Sequence, residues 1–333
     1  MSQTVDAIRG RIGSSLRHLL AGDTEPRELP PDGGLFGPDS ATWHVHGDAS
    51  MLVGGIRALL LQTLHPPTMA GVADHSAYKD DPLGRLQRTS RFLGATTFGS
   101  VDDAEQAVAV VRSIHDRVVG TTPDGTPYQA NDPHLLAWVH ATEVDSFLDA
   151  KRRFGSGPTD AATADRYVAE MATIGEMLGV VDAPRTVAEL ESRLHAYRPE
   201  LRLNRQSREA LWFITVPPLP VHLRGAYAVL WSGAVASLPG WARRKLWLPR
   251  LPITETVLVL LAGKSQQGRG AQDQIRTLGP QGPEEFGGGL ETTRSLHGLE
   301  NPGRSVLDGN LQVWRHLFQL EDAPEVVPVS YTH

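Results

Sequence analysis

The sequence predicts an all-α fold, built as a single large multi-helix bundle. Apolar residues recur every three or four positions in most segments, which is the spacing of amphipathic helices. Aspartate–proline pairs precede two of these segments, and each pair combines a capping carboxylate with a proline suited to the first helical position. The chain has 333 residues, of which 40% are hydrophobic and 21% are charged. It is therefore long enough to bury a substantial core.

Three regions follow one another along the chain. Residues 1–42 predict an amphipathic helix and a loop rich in proline, glycine and aspartate. Residues 43–262 carry the long helical segments, among them an apolar run in which Gly54 and Gly55 permit close approach of another backbone or of a flat cofactor. Residues 263–333 are polar and glycine-rich, and we expect little order there apart from one short helix.

Composition excludes several classes of function. The absence of cysteine excludes disulfides, thiolate-ligated haem and a cysteine nucleophile. A net charge of −6 without a concentrated basic stripe argues against nucleic acid as a partner. No window reaches the ~18 apolar residues of a spanning helix, and no secretory signal is recognisable, so we expect a cytoplasmic protein. Trp241 and Trp247, beside basic residues, predict either a cover over one end of the bundle or a peripheral membrane contact.

The stretch 81–120 has the most informative pattern, because it places polar residues on helix faces that should be buried. An aspartate–proline pair opens its first helix, on which Arg85 and Thr89 share a face with Arg88 alongside. Two arginines on one face commonly form a solvated edge or a structural ion pair. They also suit an anionic cofactor, since guanidinium groups pair with carboxylates through two hydrogen bonds.

The second helix of this stretch carries a histidine within a stripe of valines. Asp102 and Glu105 have the spacing of a capping box at its start, and Gly120 is placed to end it. The histidine, His115, is either a hydrogen-bonded core residue or an axial ligand of haem iron, which requires a neutral imidazole in an apolar cavity. In the second case the bundle encloses a buried, haem-sized cavity.

Other histidines offer alternatives. His140 lies among apolar residues of a later helix, where it competes as the iron ligand, hydrogen-bonds in the core or lines the cavity. His44 and His46 alternate as on an extended segment and suggest a metal site, although no carboxylate cluster accompanies them.

The order of the motifs GVADHSAY, DPLGRLQRT, IHDRVVG and DPHLLAWVHATEVDSF resembles the catalytic domain of the rubber oxygenases. That family includes the latex-clearing proteins and the fungal oxygenase of mycophenolic acid biosynthesis, and the resemblance spans roughly residues 43–253. It implies an all-helical domain that binds haem b and uses dioxygen to cleave carbon–carbon double bonds. By motif position, Arg85 and Thr89 match the family's R-x-x-x-T element, and His115 matches its proximal iron ligand.

The sequence also departs from that family. Arg88 stands where the latex-clearing proteins carry a lysine that faces the distal pocket, so a proton-transfer group is replaced by one that stays protonated. The acidic partner of that lysine has no clear counterpart in TMAGV. In the resemblance His75 lies near the distal pocket, and we name Arg88 and His75 as candidate catalytic groups that orient dioxygen or water.

The sequence thus predicts a haem b-dependent oxygenase that acts on an apolar, unsaturated or isoprenoid-like small molecule, by oxidative double-bond cleavage. Its partners are dioxygen and that substrate, and a redox partner is left open. One alternative is a helical carrier of haem or of an apolar ligand, without turnover. Another is a hydrolase built on Asp74, His75 and Ser76, although adjacent residues do not make a nucleophile–base pair and the G-x-S-x-G elbow is absent.

Overall fold

The computed structural model describes residues 32–76 and 78–248. Within them the chain forms eleven helices and one two-stranded antiparallel sheet, which confirms the predicted all-α class. The helices are α1 (Ala41–His46), α2 (Met51–Gln62), α3 (Pro66–His75), α4 (Pro82–Phe98), α5 (Val101–His115), α6 (Pro133–Phe154), α7 (Ala161–Leu178), α8 (Val187–Ala196), α9 (Arg205–Thr215), α10 (Val221–Ser237) and α11 (Gly240–Lys245). The strands are β1 (Val119–Thr121) and β2 (Pro127–Gln129). The predicted N-terminal helix and the polar tail lie outside the described residues.

Both aspartate–proline pairs start helices as predicted. The Asp81 carboxylate accepts a hydrogen bond from the backbone N–H of Gly84, and Pro82 is the first residue of α4. The Asp132 carboxylate accepts from the N–H of His134 at the start of α6. In each case the carboxylate satisfies a backbone donor that the helix leaves unpaired.

The start and the end of α5 differ from the prediction. Its capping box is formed by Ser100 and Asp103, two residues earlier than the Asp102 and Glu105 that the sequence suggested. Serine in extended backbone conformation can cap only the helix that begins directly after it, and that helix begins at Val101. At the other end α5 stops at His115 and not at Gly120.

Gly120 lies in a β-hairpin, whereas the sequence predicted it at the end of a helix. It pairs with Tyr128 of β2, and a Cβ at position 120 would come within 2.5 Å of the Tyr128 hydroxyl. The glycine is therefore needed for the close approach of an aromatic side chain across the hairpin. The turn between the strands contains Gly125, whose φ of +88° favours glycine.

The packing of α2 against α6 forms the centre of the bundle. Trp138 and Val144 of α6 are completely buried. A Cβ on Gly54 of α2 would lie 2.7 Å from Cδ1 of Phe147 and 3.0 Å from the carbonyl oxygen of Ser146. Of the two uses predicted for the glycines, close approach of another backbone is the one seen at Gly54.

The same core contains two buried cations, each of them paired. Lys151 of α6 donates to the Asp48 carboxylate at 3.0 Å and to the carbonyl of Ser156 at 2.7 Å, and the side chains of the ion pair are 2% and 9% exposed. Arg57 of α2 donates to Asp145 at 2.7 Å and lies 3.7 Å from Asp149. Buried charges are tolerated when they are paired and hydrogen-bonded in this way.

None of the described helices is long and apolar enough to cross a bilayer. Near the end of the described chain, Trp241 is partly buried. The Arg198 guanidinium lies over its indole ring, 5.1 Å from the ring centre. Trp247 is 66% exposed. Trp241 therefore covers the bundle, whereas Trp247 faces outward, and the predicted membrane contact stays a prediction.

Candidate functional site

His115 is the last residue of α5 and is partly buried. Its Nδ1 atom is buried and makes no hydrogen bond of ordinary geometry with a described residue, although the Asn131 side chain lies close enough to raise the pKa of His115. The next apolar residue of the predicted stripe, Val118, packs against a small core of Ala70, Tyr128 and Leu135. Buried polar atoms without partners are rare in native proteins, and they mark places where an ion or a ligand completes the bonding.

The surroundings of His115 keep its imidazole neutral. Burial lowers the pKa of His115, and the Asn131 amide and the Asp116 carboxylate partly oppose that shift. Asn131 donates to Asp116 at 2.5 Å and to the carbonyl of Arg112 at 3.3 Å, which joins the end of α5 to the segment before α6. A neutral imidazole is the form that ligates iron.

Arg85 of α4 is also partly buried, and its guanidinium lies 5.8 Å from the ring centre of Tyr78. Burial lowers the pKa of Arg85, although arginine remains charged at neutral pH. No carboxylate among the described residues pairs with it. Arg85 is therefore a partly desolvated cation that is stabilised by an aromatic face and has no carboxylate partner in the described part of the chain.

The two other candidate site residues of that helix, Arg88 and Thr89, are exposed. Arg88 pairs with Asp81 at 3.2 Å, and both side chains are about half exposed. The Thr89 hydroxyl donates to the carbonyl of Arg85 at 3.1 Å. Their predicted roles, at the distal pocket for Arg88 and in cofactor binding for Thr89, stay predictions.

The residues of the hydrolase hypothesis do not form a catalytic triad. His75 is exposed, and its Nε2 donates to the carbonyl of Val119 at 3.1 Å. Asp74 accepts from the Tyr128 hydroxyl at 2.7 Å. No hydrogen bond joins Ser76 to His75 among the described residues, so nothing activates the serine. The role of His75 at a distal pocket stays a prediction.

His140 lies inside the bundle on α6. Its ring packs on α7 where a Cβ at Gly175 would come within 3.0 Å of it, so glycine at 175 makes room for the imidazole. Burial lowers the pKa of His140 to about 4, and the charge of Arg193 adds to the effect. His140 is therefore neutral, and it stays the second candidate for the iron ligand.

The histidines at 44 and 46 lie on helix α1 and not on an extended segment. His46 is 1% exposed, and its two ring nitrogens are bonded to the Thr97 hydroxyl at 2.8 Å and the Tyr167 hydroxyl at 3.0 Å. Both nitrogens of His46 are thus occupied by protein groups, and the metal site suggested by the alternation is not formed.

Two clefts were measured on the described part of the chain. One, of about 310 Å³, is lined by residues that include Trp43, His44, Phe98 and Arg166. The other, of about 450 Å³, lies between α5 and α7 and is open to solvent. Neither is lined by His115 or Arg85, so the buried, haem-sized cavity stays a prediction.

The donor set at the predicted haem site fits the cofactor in part. His115 offers a neutral imidazole with a buried, unbonded nitrogen, and Arg85 offers a desolvated cation without a carboxylate partner. Arg88 is already paired with Asp81 at the start of α4, and the Thr89 hydroxyl is bonded to the backbone of the same helix. The sequence also called for a carbonyl or carboxylate that accepts from the second nitrogen of His115, and no such partner bonds Nδ1 among the described residues.

Sequence reasoning missed a second group of chemically active side chains. His65, His134 and Glu200 place one ligand atom each within 4.8 Å of one another. No local spacing could reveal them, because they belong to three segments separated by more than sixty residues.

Residues 43–264 match the model of one protein family, described as ER-bound oxygenase mpaB/B'/Rubber oxygenase, catalytic domain. No curated protein and no solved structure is significantly similar to the chain.

Proposed function

This chain belongs to that family of oxygenase catalytic domains, and we propose that it is a haem b-dependent oxygenase acting on an apolar, unsaturated small molecule. The family assignment supports an oxygenase that uses dioxygen and an organic substrate. Haem dependence, the site residues and the substrate class are the parts we add.

The observation that carries the haem proposal is the state of His115. A partly buried imidazole whose Nδ1 has no partner, and whose pKa is lowered by burial, combines the features of an axial ligand. The valine stripe of α5 would keep water away from its side of the iron. We propose His115 as the ligand and His140 as its competitor.

Arg85 would hold the acidic edge of the cofactor. Its guanidinium is partly desolvated and unpaired with any described carboxylate, so a haem propionate would supply the missing anion. Thr89, one turn along α4, would need to turn its hydroxyl from the carbonyl of Arg85 to reach the same group.

Bound haem would supply the redox chemistry by which dioxygen attacks a carbon–carbon double bond. Placing one oxygen atom of dioxygen on each carbon gives two carbonyl products, and this stoichiometry needs no reductant. Arg88 and His75 would act on the other side of the cofactor as charged and hydrogen-bonding groups. For Arg88 this requires release from Asp81, which an exposed ion pair permits at a cost of about 1 kcal/mol or less.

The test is an absorption spectrum of the purified full chain, oxidised and then reduced, with haem added during expression. We expect a Soret band, and we expect His115→Gln to weaken haem binding by at least about tenfold, as loss of a metal contact does. His140→Gln is the matched control and should retain the band. Loss of the band in His140→Gln but not in His115→Gln would identify His140 as the ligand. A colourless wild-type protein would contradict the proposal.

Oxygen uptake separates the oxygenase from a carrier. The haem-loaded chain should consume dioxygen with an isoprenoid-like alkene and release carbonyl products, and Arg88→Gln should slow that uptake. A chain that binds haem through His115 but never consumes dioxygen, with or without a reductant, would be a carrier.

A further inference from the structure

The geometry points to a binding site for a divalent transition-metal ion, such as Zn²⁺, formed by His65, His134 and Glu200. None of these residues belongs to the haem site proposed above. His65 directly precedes α3, His134 is the second residue of α6, and Glu200 follows α8.

Two imidazole nitrogens converge on one carboxylate oxygen. Nε2 of His134 lies 2.7 Å from Oε2 of Glu200, and Nε2 of His65 lies 3.5 Å from the same atom. Two ligands of a tetrahedral zinc ion, each ~2.0–2.1 Å from the metal, are roughly 3.3 Å apart. The His65–Glu200 separation already matches that value. The His134–Glu200 pair must open by roughly half an ångström, which is easy because both side chains are about half exposed.

The surrounding bonds orient the ligands as a metal site requires. Nδ1 of His65 is bonded to the Thr68 hydroxyl at 2.9 Å, which leaves Nε2 as the nitrogen that faces Glu200. Ligating histidines in proteins usually hold their second ring nitrogen in this way. The Tyr197 hydroxyl donates to the carbonyl of His134 at 2.7 Å and lies 3.4 Å from Nδ1 of the same residue.

The three segments are held together without the ion. The backbone N–H of Arg202 donates to the carbonyl of Leu64 at 2.8 Å, which fixes the segment after α8 beside His65. The ring of Trp138, which is fully buried, lies 5.9 Å from that of His65 and 5.1 Å from that of Tyr197. The site is therefore preorganised on one side by packed aromatic rings and open on the other.

The ionisation states also suit a cation. Burial lowers the pKa of His65, although Glu200 opposes the shift. Burial raises the pKa of Glu200, but hydrogen bonds from the two histidines outweigh it and the net shift is downward. Two imidazole nitrogens and one carboxylate form a donor set that Zn²⁺ and neighbouring first-row ions bind, with a fourth position left for water.

Cobalt(II) provides the test, because its visible spectrum reports coordination by these ligands. The full chain, cleared of loosely bound metal with a chelator, is titrated with Co²⁺, and its spectrum is recorded against the same protein without Co²⁺. Subtracting that reference cancels any haem absorption. We expect one Co²⁺ per chain with the intense bands of four-coordinate cobalt, and displacement by Zn²⁺.

Variants decide whether the ion sits at this site. Glu200→Gln and His134→Gln alter half-exposed side chains, so both should fold, and each should weaken Co²⁺ binding at least about tenfold. His222→Gln, at an exposed histidine of α10, is the matched control and should leave the titration unchanged. A wild-type chain that gives no bands would overturn the proposal and leave a hydrogen-bonded His–Glu–His cluster. Binding that survives both substitutions would also overturn it. Neither result depends on whether haem binds through His115.

Discussion

His46 is buried and His115 is partly buried, and the surroundings of the two rings differ. His46, on α1, has both ring nitrogens bonded to hydroxyl groups of neighbouring helices. His115, at the end of α5, has a buried nitrogen without a partner. The same contrast holds for the cations, since Lys151 and Arg57 in the core are paired with carboxylates, whereas Arg85 on α4 rests on an aromatic ring.

This comparison separates polar groups that are paired within the fold from polar groups without a pairing partner among the described residues, for which we propose a ligand. A satisfied buried group is explained by the protein around it. An unsatisfied one costs free energy of folding, and a bound cofactor can remove that cost. His115 and Arg85 lie in the stretch 81–120, which the sequence indicated as the cofactor region, whereas other buried atoms without a partner, such as Nε2 of His44 and Nε1 of Trp138, lie elsewhere in the bundle.

The largest effect on stability should come from removing one partner of a buried ion pair. Lys151→Met leaves the Asp48 carboxylate buried without its cation and should lower the free energy of unfolding by about 3–5 kcal/mol. Denaturant unfolding followed by circular dichroism measures this. Arg205→Met breaks the exposed pair with Glu209 and should change stability by less than about 1 kcal/mol. Equal effects of the two substitutions would break the distinction between buried and exposed pairs.

The pH dependence of stability should identify His46 as a structural histidine. Burial lowers the pKa of His46 to about 3, from 6.5 in the unfolded chain. Between these values the unfolded chain binds a proton that the folded chain does not. His46 therefore removes about 1.4 kcal/mol of stability for each unit that the pH falls below 6.5. Its stabilising contribution is fully present above pH 6.5 and is lost toward pH 3.

The matching variant is His46→Gln, which cannot take up that proton. It should be less stable than the wild type at pH 7, because two hydroxyl groups lose their partner, but its stability should fall less steeply on acidification. The difference between the two proteins should narrow by about 1.4 kcal/mol per pH unit between pH 6 and pH 4, measured by urea unfolding. Parallel slopes would show that His46 is protonated in the folded protein.

The smallest changes in stability should come from substituting two adjacent glycines of α2. Gly54→Ala forces a methyl group against Phe147 and the backbone of α6, and should cost about 1–3 kcal/mol. Gly55→Ala meets nothing closer than 4.0 Å and should gain about 0.5–1 kcal/mol, because alanine is the better helix former. Thermal unfolding of both variants distinguishes them, and a gain at Gly54 would mean that the helices do not approach as closely as described.

Much of the helical framework could be predicted from local chemistry. Asp81 and Asp132 each precede a proline, a pair of residues that favours a helix start, and a helix begins at each of them. The prediction for Gly120 was wrong because the contact that decides its role is made across a hairpin. Gly120 was predicted to end a helix because glycine commonly does so, but its role is to admit the side chain of Tyr128 from the next strand.

The candidate sites show the same limit. His115 and Arg85 could be named in advance because their helices present them at regular spacing. Whether a histidine is satisfied depends on neighbours that spacing does not reveal, such as the hydroxyl groups of Thr97 and Tyr167 around His46.

The sequence by itself determined the all-helical class, the main helix starts and membership in an oxygenase family, because caps, breakers and apolar periodicity act over a few residues and motifs are read in order. Only the tertiary structure decided which buried polar groups are paired and which are not. It alone brought His65, His134 and Glu200 together, since contacts between segments far apart in the chain are set by packing and leave no local pattern.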